Sequence, residues 1–594
     1  MDPSKVDENL DVEQIPWEHD DVTSYIDDLT GGKQPEDILD EQIELIEDLD
    51  GEAALERLVI ADIANSIISS ADVPDDGAGL PPALHKYLIV LILAHSSTSG
   101  KRDVNYTDLA GPILDLSLKY LHDTDINAES PPDEKLKSRV EHSLKEQVFL
   151  AGKWKFSKQP IEASKRAYSP HNEQLKKELG FTIEEALRCA DYIEEKTIER
   201  REEIIDDEFS QLVQRMAQSG HTIDVLNQQY DEKGDIDNTS GGEDFKSDSK
   251  FLDQLYTKYC DSGGSFFVDY DNMISDRPGD IKKDVLQDFV DRMSDNLGDV
   301  DSNRNFRWPY QFNPLSETPI VQVEDRLLVP SGDALRSALE STFYYDLISL
   351  EDYGSSDGTH GGEFGRIFGD YVEDWAYDCL MKLYPEEDVY KNPLRPGSYE
   401  EACDILVEGR DTLYVIECKT GKIPIHLRNS DFDAIQEELN SKVGEGYTDQ
   451  ALPLVQELRD GTIDELVYDG KLVEISDYNK YQPIILIGES YDSVATYLID
   501  VIVNSESVPP YVIDIYCFQV ITEFFESRAR FESYIRKRLR LFNDKSIISG
   551  DEIDYLGLYY LNDYSFPEME KNNFVIMEDM GREIAEEIGY KFGH

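Results

Sequence analysis

Asp404, Glu417 and Lys419 are the residues of this chain whose types and spacing could do hydrolytic chemistry. The stretch YVIECKTGK, residues 414–422, reads as an apolar strand that runs into two opposite charges and then turns at Gly421. Strand alternation puts Val415, Glu417 and Lys419 on one face and Tyr414, Ile416 and Cys418 on the other. Asp404 lies in CDILV, directly before the turn EGRD, and pairing around residues 410–411 brings it opposite Glu417. Two carboxylates this close repel, which raises a pKa unless a cation compensates. Mg²⁺ is the natural compensator, with Mn²⁺ able to substitute, because it takes one or two carboxylates and keeps waters for a substrate phosphate. The Lys419 amine, on the same face, can orient or deprotonate an attacking water or stabilise a charged transition state. The plainer reading, a surface Glu/Lys pair of little energetic weight, leaves Asp404 in the partner strand without a role.

The elements that must position these residues follow from periodicity. Residues 1–50 carry Lys5 and Lys33 against 18 acidic side chains, which predicts a flexible acidic arm with a short helix at PEDILDEQIELIEDL. Residues 52–300 repeat apolar side chains at three and four, a helical region with a linker at 230–250 that would divide it in two. Residues 301–360 hold a hairpin, TPIVQVEDRLLVPS, turning at Glu324-Asp325, with Ser331 placed to cap the next helix. A glycine-rich loop, GSSDGTHGG, then opens the helix EFGRIFGDYVEDWAYDCLMKLY. Strands follow at DVYKN, EACDILVEG and TLYVIECKT, then a helical stretch to about 460. QPIILIGES and YVIDIYCF read as further strands, 519–545 as a helix, and 546–594 as a mixed C-terminal extension. Strands alternating with helices predict an α/β sheet.

The spacing Asp404, twelve residues, then Glu417-Cys418-Lys419 resembles the PD-(D/E)XK nuclease superfamily, the restriction-endonuclease-like fold. The resemblance covers 361–452, with the later strands to about 530 completing the sheet of a domain that spans 361–545, and Cys403 stands where the family has proline. It implies a helix, a mixed sheet with a central hairpin bearing the Asp and the Glu-x-Lys, and a helix behind. It also implies that Asp404, Glu417 and the main-chain carbonyl of Cys418 hold metal while Lys419 serves the water. The family's auxiliary Glu on the first helix maps to Glu373, with Glu363 behind it. Its polar residue on the following helix maps to Gln450, with Lys442 the outside choice.

Charge is the outlier of the composition. The chain has 594 residues and 124 Asp+Glu against 57 Lys+Arg, a net charge of −67, and the acidity continues through periodic segments. That resembles the proteins of extreme halophiles, whose carboxylate surfaces stay hydrated in concentrated salt. At molar salt the Debye length is about 3 Å, so the global charge does not veto nucleic-acid binding. Against this background Arg528, Arg530, Arg536, Lys537, Arg538 and Arg540 cluster in RARFESYIRKRLRLFNDK. They read either as a helix lying on phosphates or as arginines paired with neighbouring acids. Six cysteines without a CxxC, no bilayer-length apolar run and an acidic start predict a cytoplasmic protein with no membrane segment. HSSTSGKR, 95–102, lacks the first glycine of a phosphate loop, so an ATP motor is not expected.

The expected protein is therefore multidomain: a mostly α-helical N-terminal region and a C-terminal α/β, restriction-endonuclease-like domain at 361–545. The expected function is Mg²⁺-dependent DNA hydrolysis in defence against foreign DNA or in repair. A catalytically silent binding protein on the same fold and an RNA-processing nuclease are the alternatives. A homodimer, or a partner protein held through the helical region, would be consistent with this organisation.

Overall fold

A computed structural model describes residues 32–69, 80–122, 158–213, 252–297, 313–354, 362–420, 440–488, 508–567 and 575–584, with short breaks inside several of these ranges. Residues 1–31, the expected linker at 230–250 and most of the glycine-rich loop lie outside the described residues.

The N-terminal part is helical. Helices α1 (Pro35–Glu47), α2 (Gly51–Ser69), α3 (Pro82–His95) and α4 (Tyr106–His122) share one core. α3 is apolar on nearly every side, PALHKYLIVLILAH, so it runs through the middle of that core. The short helix expected at the end of the acidic N-terminal stretch is present from Pro35 to Glu47, and it is packed. A helical turn gathers Ile38, Leu39 and Ile46 onto one buried face and leaves the acids outside. Helices α5 (Gln159–Tyr168), α6 (Asn172–Leu179) and α7 (Ile183–Ile204) belong to a second core. Thr182 and Glu185 cap α7 reciprocally, each side chain taking the other's backbone N–H. α8 (Tyr270–Ser275), α9 (Lys283–Met293) and α10 (Ala334–Ile348) join the same core.

Between these helices lies a four-stranded sheet of β1 (Val268–Asp269), β2 (Ser294–Asn296), β3 (Ile320–Val323) and β4 (Arg326–Leu328), in the order β1-β4-β3-β2. β3 and β4 form the hairpin predicted from the sequence, with Glu324 at φ 52° in its turn.

The C-terminal part is α/β. Helix α11 (Glu363–Met381) leads into β5 (Val389–Lys391), β6 (Ile405–Glu408) and β7 (Thr412–Lys419), three antiparallel strands. Two π-helical turns, Asn440–Gly444 and Gly446–Ala451, run into α12 (Leu452–Arg459). A small hairpin, β8 (Glu465–Tyr468) and β9 (Lys471–Glu474), precedes β10 (Lys480–Ile487), and β11 (Tyr511–Asp514) completes the sheet. Its order is β11-β10-β7-β6-β5, with β7, β10 and β11 parallel. Alternation divides its side chains as predicted. Tyr414, Ile416 and Cys418 face α11, whose Val372, Trp375, Ala376, Cys379 and Leu380 are buried in the second core. Leu413 and Val415 face a third core with Tyr447, Leu454 and Val455. The second core also takes in Tyr168 of α5, whose ring lies 5.8 Å from Phe343 and 6.1 Å from Phe368.

One expected strand is shorter than predicted. YVIDIYCF is β11 only as far as Asp514, whose carboxylate accepts the N–H groups of Tyr516 and Cys517 and starts α13 (Ile515–Phe524). An acidic residue inside an apolar run thus acts as a helix cap. α14 (Arg528–Asp544), β12 (Ile547–Ser549), α15 (Glu552–Leu561) and β13 (Val575–Met577) follow. Among the described residues no helix is long and apolar enough to cross a membrane.

A buried ion pair ties α14 to α15. Arg538 is 1% exposed, donates to Glu552 at 3.0 Å and lies 3.4 Å over the Tyr555 ring. Tyr511 and Tyr534 donate to the same carboxylate at 2.6 and 2.8 Å. Removing one charge of such a pair leaves the other uncompensated in a low-dielectric interior, at a cost of about 3–5 kcal/mol. Glu552→Gln therefore lowers the thermal midpoint by several degrees in calorimetry, and Arg538→Met combined with Glu552→Leu recovers most of the loss.

Candidate active site

The β6–β7 register pairs Ile405 with Ile416, which sets Asp404, at the threshold of β6, opposite Glu417. This is the pairing the turn at 410–411 predicts. The Cys418 N–H donates to Asp404 Oδ2 at 2.5 Å, so the main chain of β7 holds the aspartate in place. Glu417 is 2% exposed, and its Oε1 is buried without a hydrogen-bond partner. Lys419 ends β7; its Nζ stands 3.9 Å from Glu417 Oε2 and donates to Gln450 Oε1. Gly446 leaves room for that side chain, since a Cβ there would sit 2.7 Å from Lys419 Cε. The cluster occupies the C-terminal end of β7, beside parallel β10, where α/β sheets open toward ligands.

The electrostatics are those of crowded acids. Burial first, and then Asp404, push the Glu417 carboxyl up to about 9, against the partial relief of Lys419. Glu373, on α11, is raised to about 7, chiefly by burial and then by Asp404; Lys391 and a hydrogen bond from Asn392 oppose the shift. Glu401 is also raised to about 7, by partial desolvation of its carboxyl and by a hydrogen bond with Asp404.

The structure thus gathers Asp404, Glu417, Lys419, Glu373 and Gln450 at one sheet end. Glu363 is elsewhere: it begins α11, ten residues before Glu373, about 15 Å along the helix axis. Lys442 lies in the first π-helical turn, while Gln450, in the second, is the residue that reaches Lys419. The basic helix is largely committed to the fold. Arg538 is buried on Glu552, Arg528 pairs with Glu532 and Asp388, and Lys537 donates to the Tyr564 carbonyl. Arg530, Arg536 and Arg540 remain exposed.

Four neighbours were not singled out from sequence. Asp370 sits three residues before Glu373 on α11 and raises both Glu373 and Glu401, and that i,i+3 spacing was legible. Glu401, half of a Glu-Glu doublet in an acidic chain, carried no signal of its own. Lys391 and Asn392 come from the edge strand; the Asn392 N–H donates to the Asp404 carbonyl at 2.8 Å from a backbone at φ 51°.

Among the described residues no group of three His, Cys, Asp or Glu side chains is poised to hold a metal ion. Mg²⁺ does not need such a cage, because one or two carboxylates suffice when water and substrate oxygens fill the remaining positions. The orphaned Oε1 of buried Glu417, beside the carboxylate of Asp404, fits a hard cation for that reason. No family model matches the chain, and no curated protein matches its sequence.

Two outcomes follow from the repulsion. Glu417 binds its proton more tightly folded than unfolded, so its contribution to stability is complete below about pH 4.5 and is lost as pH rises toward about 9. In metal-free molar KCl, Glu417→Gln should therefore melt progressively higher than the parent as pH climbs through that window, a difference read by calorimetry. At fixed neutral pH, adding Mg²⁺ should raise the melting temperature of the parent and leave Glu417→Gln and Asp404→Asn unmoved.

Proposed function

We propose that this chain is a Mg²⁺-dependent nuclease of the PD-(D/E)XK type that hydrolyses phosphodiester bonds of DNA. The observation that carries the reading is the buried carboxylate of Glu417. It is unpartnered at Oε1, faces Asp404, and has Lys419 beside it braced by Gln450. The order of elements supports it: α11, antiparallel β5–β6–β7, the helical stretch 440–459 and parallel β10 resemble the family's core.

Asp404, Glu417 and the Cys418 carbonyl would hold the cation. Bound there, it supplies Lewis-acid stabilisation of the charge that develops on the phosphate. The residues of the chain do the rest. Asp404 is oriented by the Cys418 N–H, so its carboxylate is presented from a fixed rotamer. Lys419, oriented by Gln450, places an ammonium where it can position the attacking water and offset charge on the phosphoryl oxygens. Glu373, whose carboxyl is raised by burial and then by Asp404, would take and return a proton at that end of the sheet. DNA is the favoured substrate because the resemblance is to a superfamily that mostly acts on DNA, and its service in restriction, defence or repair belongs to the same proposal.

The test is a cleavage assay in molar KCl with Mg²⁺ or Mn²⁺, offering plasmid, linear duplex, single-stranded DNA and RNA. Metal-dependent cutting of DNA that falls on the order of a hundred-fold or more in Lys419→Ala and Asp404→Ala is the expected result. Cutting of RNA alone would transfer the reading to RNA processing. Equal background in all three folded proteins would leave the binding-protein reading in its place.

A further inference from the structure

The connection from β5 to β6, residues 392–404, is a hydrogen-bonded finger that ends in the acid cluster. Ala402 donates to the Pro393 carbonyl at 2.8 Å, Arg395 to Glu400 at 2.7 Å and Tyr399 to Arg395 at 3.1 Å. The Arg395 guanidinium pairs with Glu457 of α12, and Leu394 exchanges both backbone hydrogen bonds with Val467 of β8 at 2.8 Å. A loop anchored at this many points holds its tip in one place.

Tyr399 is at that tip. It is 69% exposed, the most exposed large apolar side chain among the described residues, ahead of Leu472 at 61%. Its backbone is left-handed at φ 57°, a region a bulky side chain adopts only when the surrounding structure imposes it. Two residues later the chain reaches Glu401, whose carboxyl hydrogen-bonds Asp404. From Glu401 a row of directly facing residues runs away from the cluster: Glu401 opposite Leu394, Leu394 opposite Val467, Val467 opposite Leu472. Facing residues of an antiparallel ladder project on the same side, so this row is a partly exposed apolar shelf that starts at the carboxylates.

Composition says what such a shelf is for. With a net charge of −67, the chain cannot attract a polyanion at long range, and at molar salt phosphate contacts are weakened by screening. Stacking of a nucleobase on an aromatic ring depends on apolar and dispersion contact and survives that salt. Resting on the nuclease reading, we propose that Tyr399 stacks on a nucleobase of the substrate strand whose phosphate lies at Asp404 and Glu417. Leu394, Val467 and Leu472 form the shelf under the neighbouring nucleotides.

The experiment uses the full chain in molar KCl and Mg²⁺, with Lys419→Ala as a background that prevents cutting. Single-stranded DNA carrying 2-aminopurine reports stacking by fluorescence quenching, and its titration reports affinity. Adding Tyr399→Ala or Tyr399→Asn should weaken binding on the order of ten-fold and abolish part of the quenching, whereas Tyr399→Trp keeps both. Asparagine tolerates the left-handed backbone, so Tyr399→Asn preserves the finger and should melt no lower than the parent. Leu472→Ser gives a second, smaller loss. In the cutting-competent chain, Tyr399→Asn should raise KM more than it lowers kcat. Unchanged binding, quenching and KM in folded Tyr399→Asn, with the parent binding and cutting, overturns the stacking role and leaves the nuclease reading intact. A parent that neither binds nor cuts any nucleic acid removes both.

Discussion

Glu417 sits on the central strand of a packed sheet, almost wholly removed from water, with a carboxylate facing it from the adjacent strand. A buried charge without a partner costs several kcal/mol, so such a residue survives only where something recovers the cost. Here the ammonium of Lys419 is 3.9 Å away and engaged with Gln450. Protonation or a bound cation is what remains. Most features of the C-terminal part serve to keep this unfavourable contact in place: β6 and β10 flank β7, α11 covers one face, and the 440–459 stretch covers the other.

That arrangement separates rigidity from reactivity. The strands fix the backbone positions of Asp404 and Glu417, because a one-residue slip of register would turn both from one face to the other. The helices contribute the side chains that tune them. Glu373 enters from α11 and raises Glu417, and Gln450 enters from the second π-helical turn and accepts a hydrogen bond from Lys419. Farther out, the Arg538–Glu552 pair and its tyrosines lock α14 and α15 against β11, a neighbour of the strands that bear the site.

The acidity of the whole chain acts on a different scale from the acidity of the site. Surface carboxylates remain in water and are screened within a few ångströms in concentrated salt, whereas charges buried at the sheet end are screened far less. An ionic strength that would hide −67 from a ligand therefore leaves the repulsion between Glu417 and Asp404 intact.

Several things were legible in the residues themselves. Period-two alternation divided β7 correctly between two faces, and the turn at 410–411 set the register that faces Asp404 with Glu417. Helical periodicity marked α7 and α11, and the hairpin at Glu324-Asp325 followed from its flanking apolar runs. These are local properties, decided by residues close along the chain. What the tertiary structure alone decided depends on contacts between distant segments. It made Asp514 a cap, and it buried Arg538 where a phosphate-binding residue was the alternative. It chose Gln450 over Lys442 and Glu373 over Glu363, and it brought Glu401, Lys391 and Asn392 to the cluster. In a chain where one residue in five is acidic, no spacing can tell which carboxylates will lose their water. Burial does that, and burial belongs to the fold.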